Sequence, residues 1–160
     1  MFDPFFFKVL HKICARLGEI NVNWALTGSL NLALQGVPVE VNDIDILTDK
    51  VGAYEIENCF SEFVARKVAF SSAERIRSYL GALIIDGVKV EIMGDVQLKR
   101  ENGSWEEPVD LERNKRTLEI EGIQIPVMSL EHAHQAYVKL GRMKKAEILR
   151  KWLNGDSSSV

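Results

Sequence analysis

The sequence predicts an α+β fold: a mixed β-sheet flanked by helices, closed at its C-terminal end by a further helical pair. Three observations carry this. Apolar residues recur at helical spacing near both ends, short apolar or alternating runs fill the middle, and two dipeptides read as tight hairpins. The 160 residues suit one domain. No repeat or linker divides them, so residues 1–155 read as that domain and 156–160 as a polar tail. A chain this long buries roughly 68–70 % of its unfolded surface and needs no disulfide or metal to hold a core.

The N-terminus is apolar at Phe2, Phe5, Phe6, Phe7, Val9 and Leu10, but Asp3, Lys8, His11, Lys12 and Arg16 deny it the unbroken stretch of a signal peptide. Asp3-Pro4 reads instead as an N-cap and first helical residue. Apolar residues at 6, 9, 10, 13, 14 and 17 then give an amphipathic helix that Gly18 closes. Asn23–Thr27 is a short strand ending at Gly28-Ser29, and Leu30–Leu34 a short helix stopping at Gly36. Asp43–Leu47 alternates Asp, Ile, Asp, Ile, the pattern of a strand with one polar face. Thr48 or Asp49 caps a helix running to about Phe63. Val64–Phe70 follows as a strand. Arg77–Ile85 and Val88–Met93 flank the hairpin signal Asp86-Gly87, and Thr117–Ile120 and Ile123–Val127 flank Glu121-Gly122. Glu101–Asp110 is polar and reads as a loop. Ser129 opens a last helix with Leu130, Ala133, Tyr137 and Val138 on one face; it breaks near Gly141, and a second helix runs from Met143 to Leu153.

At 46 % hydrophobic and 27 % charged, the composition excludes disorder, collagen and coiled coil. Net charge is −3, against a general nucleic-acid or membrane-surface binder. No run approaches the roughly 18 apolar residues of a membrane span. Cys14 and Cys59 lack Cys-x-x-Cys spacing, which reads as a reduced, cytoplasmic protein without a zinc module. His132 and His134 stand about 200° apart on a helix and do not pair for zinc. Ser29 has no histidine nearby in sequence to activate it. Trp24, Trp105 and Trp152 show no regular interleaving with basic residues that would suggest base stacking.

Four acid-x-acid pairs occur: Asp43/Asp45, Glu55/Glu57, Asp110/Glu112 and Glu119/Glu121. Only the first has apolar residues on the alternate positions. Side chains two apart on a strand share a face, so Asp43 and Asp45 converge while Ile44 and Ile46 pack behind them. Glu91, within Val90-Glu91-Ile92, sits in another strand; if the two strands are neighbours, three carboxylates gather on one face. Such a cluster repels itself and calls for cations. Mg²⁺ favours carboxylate oxygens, and a pair of ions about 3.5–4 Å apart can serve both attacking and leaving oxygens. Gly28-Ser29, between strand and helix, suits close approach of a phosphate.

Gly28-Ser29, thirteen residues, Asp43-x-Asp45 and a later lone acid on a strand resemble the nucleotidyltransferase superfamily that includes DNA polymerase beta. The resemblance is nearest to small bacterial members, the minimal and the lincosamide or aminoglycoside nucleotidyltransferases. It covers about Trp24–Asp95 and extends loosely through Ser129-Leu130-Glu131 and Lys139–Lys144. It implies a nucleotidyltransferase-like sheet and Mg²⁺ held by Asp43, Asp45 and Glu91. Gly28 and Ser29 would hold a triphosphate, and a nucleoside monophosphate would pass from an NTP to a hydroxyl of an unidentified acceptor. Glu91 stands where Asp is commoner, and Lys145 where many relatives carry Asp.

Residues 139–151 carry net +5 while the rest of the chain carries −8. Lys139 and Arg142 are therefore candidates for the nucleotide phosphates, with Arg75, Arg77 and Lys89 weaker ones. The competing reading is a non-catalytic nucleotide-binding or regulatory protein of the same fold acting with a helical partner; a sugar- or polymer-binding module is a third. A homodimer would suit a small protein with an open cleft.

Overall fold

The computed structural model describes residues 3–155; the expected tail at 156–160, and Phe2, lie outside the described residues. Its elements in order are α1 (Pro4–Leu17), β1 (Trp24–Thr27), α2 (Gly28–Leu34), β2 (Ile44–Thr48), α3 (Lys50–Cys59), β3 (Val64–Ser72), β4 (Ile76–Ile85), β5 (Val88–Leu98), α4 (Leu111–Asn114), β6 (Lys115–Ile120), β7 (Ile123–Met128), α5 (Leu130–Lys139) and α6 (Met143–Leu153). A 3-10 turn, Ser61–Phe63, joins α3 to β3. The seven strands form one mixed sheet in the order β3-β4-β5-β2-β1-β7-β6. No described helix is long and apolar enough to cross a membrane.

Local chemistry sets most boundaries. Asp3 caps α1 by accepting from the Phe5 N–H, with Pro4 at the first helical position. Asp49 caps α3 by accepting from Gly52, and Ser129 caps α5 by accepting from His132. Both hairpins turn through residues with positive φ: Asp86 at 50° and Gly87 at 82°, Glu121 at 51° and Gly122 at 79°. These are the dihedral signs of a two-residue turn matching the strands' twist.

The two sheet faces bury different things. Leu26, Ile46 and Ile92 form one cross-strand row and pack with Ile44, Val90 and Val127 against Val9, Leu10 and Ile13 of α1, Ile56 of α3 and Phe60 just after it. The opposite face carries Ala25, Leu47, Val96, Leu98 and Met128 beneath Ala136 of α5 and Leu140 at its C-cap. A third cluster joins α2, α5 and α6 through Leu32, Ala133, Tyr137, Ala146 and Leu149.

Several expectations are corrected. Gly18 closes α1 in a right-handed conformation, φ −67°, so its achiral backbone is not used there. α2 begins at Gly28, two residues before the expected Leu30, and α3 ends at Cys59, its expected last turn being 3-10. β5 runs five residues past Met93. Arg77 pairs with Gln97 but Tyr79 with Gly94, so β5 carries one extra residue, a bulge at which Asp95 takes φ 49°. The bulge flips the facing of the strand, which is why Val96 and Leu98 join the α5 face although Val90 and Ile92 lie on the other. The loop 101–110 ends in a short unexpected helix, α4, capped by Asp110. Val138 points outward, 44 % exposed, rather than joining Ala133 and Tyr137.

One buried polar contact ties α2 to the β7–α5 junction. Asn31, fully buried, donates to the Met128 carbonyl at 3.0 Å and accepts from Gln35 at 2.7 Å. Replacing it removes packing and the hydrogen bonds together. Asn31→Ala is expected to cost about 2–3 kcal/mol in urea unfolding; a loss under about 0.5 kcal/mol would show that α2 is anchored by its apolar face alone.

Candidate active site

The cleft is built on three strand ends. Thr27 of β1 pairs with Asp45 of β2, and Asp45 pairs in parallel register with Glu91 of β5. Neighbouring strands lie about 4.8 Å apart, so Asp45 and Glu91 present adjacent carboxylates to one face. Asp43 precedes β2 directly, and its charge acts on Asp45. The expected gathering of the three acids therefore rests on β2 and β5 being neighbours.

Gly28 starts α2 at φ +73°, immediately after the Thr27 that pairs with Asp45. A Cβ there would overlap the Asp45 carboxylate, lying 2.9 Å from its Cγ. Only glycine serves, for its φ and for the space. Ser29 is buried beside it, 7 % exposed.

Burial, then the charges of Asp43 and Glu91, push the Asp45 carboxyl up to about 7, while Lys145 and Arg142 work in the opposite sense. The two cations come from the turn after α5 and the first turn of α6. The Arg142 N–H donates to the Tyr137 carbonyl at 2.9 Å, and the Lys145 ammonium stands 5.5 Å from the Tyr137 ring centre. Tyr137 is itself buried, which together with Asp45 raises its phenol.

Apart from Lys89, the other basic candidates are engaged elsewhere. Lys139 is paired with Glu106 at 2.7 Å and lies on a separate open cavity shared with Arg75 and Lys99. Lys89 reaches Glu91 at 3.5 Å. Arg77 donates to Gln97 and stacks 4.6 Å from the Trp105 ring centre, with Lys99 at 5.4 Å from the same ring. Trp105 thus lies among basic residues after all, brought there by pairing of Lys99 with Trp105 across the loop, which sequence spacing does not reveal. Sequence reasoning also missed Thr27, Tyr137, His132 and Lys145. Lys145 follows Arg142 by three residues, a helical neighbour, a spacing that could have marked it beside its place in the resemblance.

Among the described residues no three His, Cys, Asp or Glu side chains form a ready-made metal cage. The donor chemistry nevertheless fits a hard divalent cation. Asp45 and Glu91, with Asp43 beside them, offer only carboxylate oxygens, and their repulsion is what a cation relieves.

That repulsion makes a stability prediction. Asp45 has a folded-state value raised from 3.8 to about 7, so between these pH values the native state holds a proton that the unfolded chain has lost. Stability of the metal-free protein therefore falls as pH rises from 4 to 7, by on the order of 2–4 kcal/mol, and stays low above. In EDTA at pH 8, Asp45→Asn should unfold at a higher temperature than wild type. An equal or lower melting temperature would mean that burial and neighbouring charge do not penalise the Asp45 carboxylate.

Comparison with known proteins bears on the family and the fold. A family model described as aminoglycoside-2''-adenylyltransferase matches residues 9–150. The crystal structure of a candidate nucleotidyltransferase from Thermotoga maritima is 62 % identical over 97 % of this chain and 96 % of that one, with a TM-score of 0.85. Two others share the fold at 14 % identity. They are the lincosamide antibiotic adenylyltransferase LnuA with lincomycin bound (89 % of this chain, 95 % of that one, TM-score 0.61) and ANT(2'')-Ia in complex with adenylyl-2''-tobramycin (91 % and 88 %, TM-score 0.58). No curated protein matches the chain. With its sheet order, its paired acids and a family match over most of its length, this chain belongs to the aminoglycoside-2''-adenylyltransferase family of nucleotidyltransferases.

Proposed function

We propose that the protein transfers a nucleoside monophosphate, with ATP as the donor, to a hydroxyl of a small acceptor in a Mg²⁺-dependent reaction. The chief support is the in-register pairing of Asp45 with Glu91 directly beside Gly28. The family's description supports adenylyl as the group moved. The two unbridged cysteines suit the cytoplasm, where a nucleotide donor is at hand.

Asp43, Asp45 and Glu91 would hold the metal. Bound there, Mg²⁺ supplies charge neutralisation for the triphosphate and for the attacking and leaving oxygens. Gly28 lets the backbone approach the phosphates closely, the Ser29 hydroxyl adds a donor, and Arg142 faces them from the C-terminal helices. Lys145 shares that position with Arg142 in this reading, and Lys139 acts as a clasp to Glu106 instead of a phosphate ligand. The acceptor oxygen bonds to the α-phosphorus while the bond from that phosphorus to the bridging oxygen breaks. Pyrophosphate leaves with the electron pair, and Glu91 takes the hydroxyl proton. Holding the groups in line and neutralising charge do most of the work, as in phosphoryl transfer generally.

Calorimetric titration with ATP, GTP, CTP and UTP tests the binding half. ATP is expected to bind only with Mg²⁺, and Asp43→Asn/Asp45→Asn to abolish the heat; no binding of any NTP to the wild type would sink the reading. Binding without transfer to any acceptor would favour a nucleotide-binding protein of this fold. For the chemistry, Asp45→Asn should keep cooperative unfolding yet lose metal-dependent pyrophosphate release, and full turnover in that variant would remove Asp45 from the site.

A further inference from the structure

We infer that the acceptor is a hydroxyl compound with an uncharged, apolar body, and that this body lies in the slot between β5 and α5; the inference rests on the nucleotidyl-transfer reading above and names its second substrate. The slot is the part of the cleft, about 140 Å³ in all, that leads away from the acids. Leu47, Met93, Val96, Leu98, Ala136 and Leu140 line it. Two of these exist on this face only because the bulge at Asp95 turns β5 over, so the slot is continuous with the strand that carries Glu91.

Position argues for the acceptor rather than the nucleobase. β1 runs antiparallel to β2, with Trp24 opposite Thr48 and Thr27 opposite Asp45, so Gly28 and Ser29 continue past the N-terminal end of β2. The slot extends the other way, from Asp45 to Leu47 and from Glu91 through Met93 to Leu98. Phosphate cradle and slot thus lie on opposite sides of the carboxylate row. A displacement at phosphorus sets attacking and leaving oxygens roughly in line, so pyrophosphate at Gly28-Ser29 directs the acceptor to the slot side, where Glu91 stands.

Charge argues for an apolar body. The acids lining the cleft are Asp45 and Glu91, both engaged by the reaction centre, and the cation among the lining residues is Arg142. Burial, and then the charge of Lys139, lower the His132 imidazole below its usual range on the α5 side. A polyammonium acceptor would lose its hydration here without gaining a carboxylate, and would meet Arg142 and Lys145. An alcohol whose ring or chain fills the slot loses nothing comparable and gains apolar burial.

The test labels the methionine methyls with ¹³C and follows Met93, a half-buried slot wall, by NMR. Mg²⁺ with α,β-methylene-ATP should bind by calorimetry and leave the Met93 resonance in place. Benzyl alcohol added to that complex should shift it, and tobramycin should not displace the benzyl alcohol. Met93→Glu should weaken benzyl alcohol binding about tenfold or more while the nucleotide analogue keeps its affinity, and Met93→Leu should restore it. A Met93 shift caused by the nucleotide analogue would put the base in the slot; an absent benzyl alcohol shift, or displacement by tobramycin, would overturn the apolar assignment. Failure of the analogue to bind at all brings down the transfer reading and the acceptor with it, and is recognised because calorimetry reports it apart from the Met93 response.

Discussion

Two carboxylates side by side on adjacent parallel strands are the constraint around which this molecule is arranged. Asp45 and Glu91 are register partners, and burial, then the charges of Asp43 and Glu91, lift the Asp45 carboxyl to about 7. A fold does not keep such a pair for stability, because burying like charges together costs free energy. The strands beneath compensate. Ile44, Ile46, Val90 and Ile92 are completely buried on the opposite face, holding β2 and β5 together against a repulsion confined to one side of the sheet.

The elements around the pair answer to it in turn. Gly28 has no side chain because the Asp45 carboxylate occupies the place of its Cβ. Arg142 and Lys145 oppose the local negative charge, and they come from the part of the chain whose net charge is +5 against −8 elsewhere. Tyr137 and Ala133 anchor that helical pair to α2 through Leu32, so packing helps to position the cations. Lys139 shows the contrast: its partner is Glu106, and it clasps the 101–110 loop to α5 away from the acids.

Much of this arrangement is legible in the order of the residues. The caps at Asp3, Asp49 and Ser129, the turns at Asp86-Gly87 and Glu121-Gly122, and the alternation around Asp43 and Asp45 are local signals, carried by residues within four positions of one another. The resemblance to nucleotidyltransferases rests on the same kind of short motif. Long-range placement is not legible in that way. The local pattern gives a strand over Val88–Met93, yet pairing to β4 carries the chain on to Leu98 through a bulge. Lys139 and Lys145 cannot be ranked from spacing, since both are basic residues near one end and only the packing of α5 and α6 decides which faces Asp45.

The sequence by itself determined the alternating faces of β2, the glycine at position 28 and the supply of three acids and a basic C-terminal segment. These follow from the two-residue period of a strand and the chemistry of single residues. Tertiary structure alone decided that β5, rather than another strand, lies beside β2, that the acids thereby become neighbours, and that an apolar slot opens next to them. Which strands pair depends on the free energy of burying whole faces against α1, α3 and α5, a sum over residues distant in sequence that no local pattern contains.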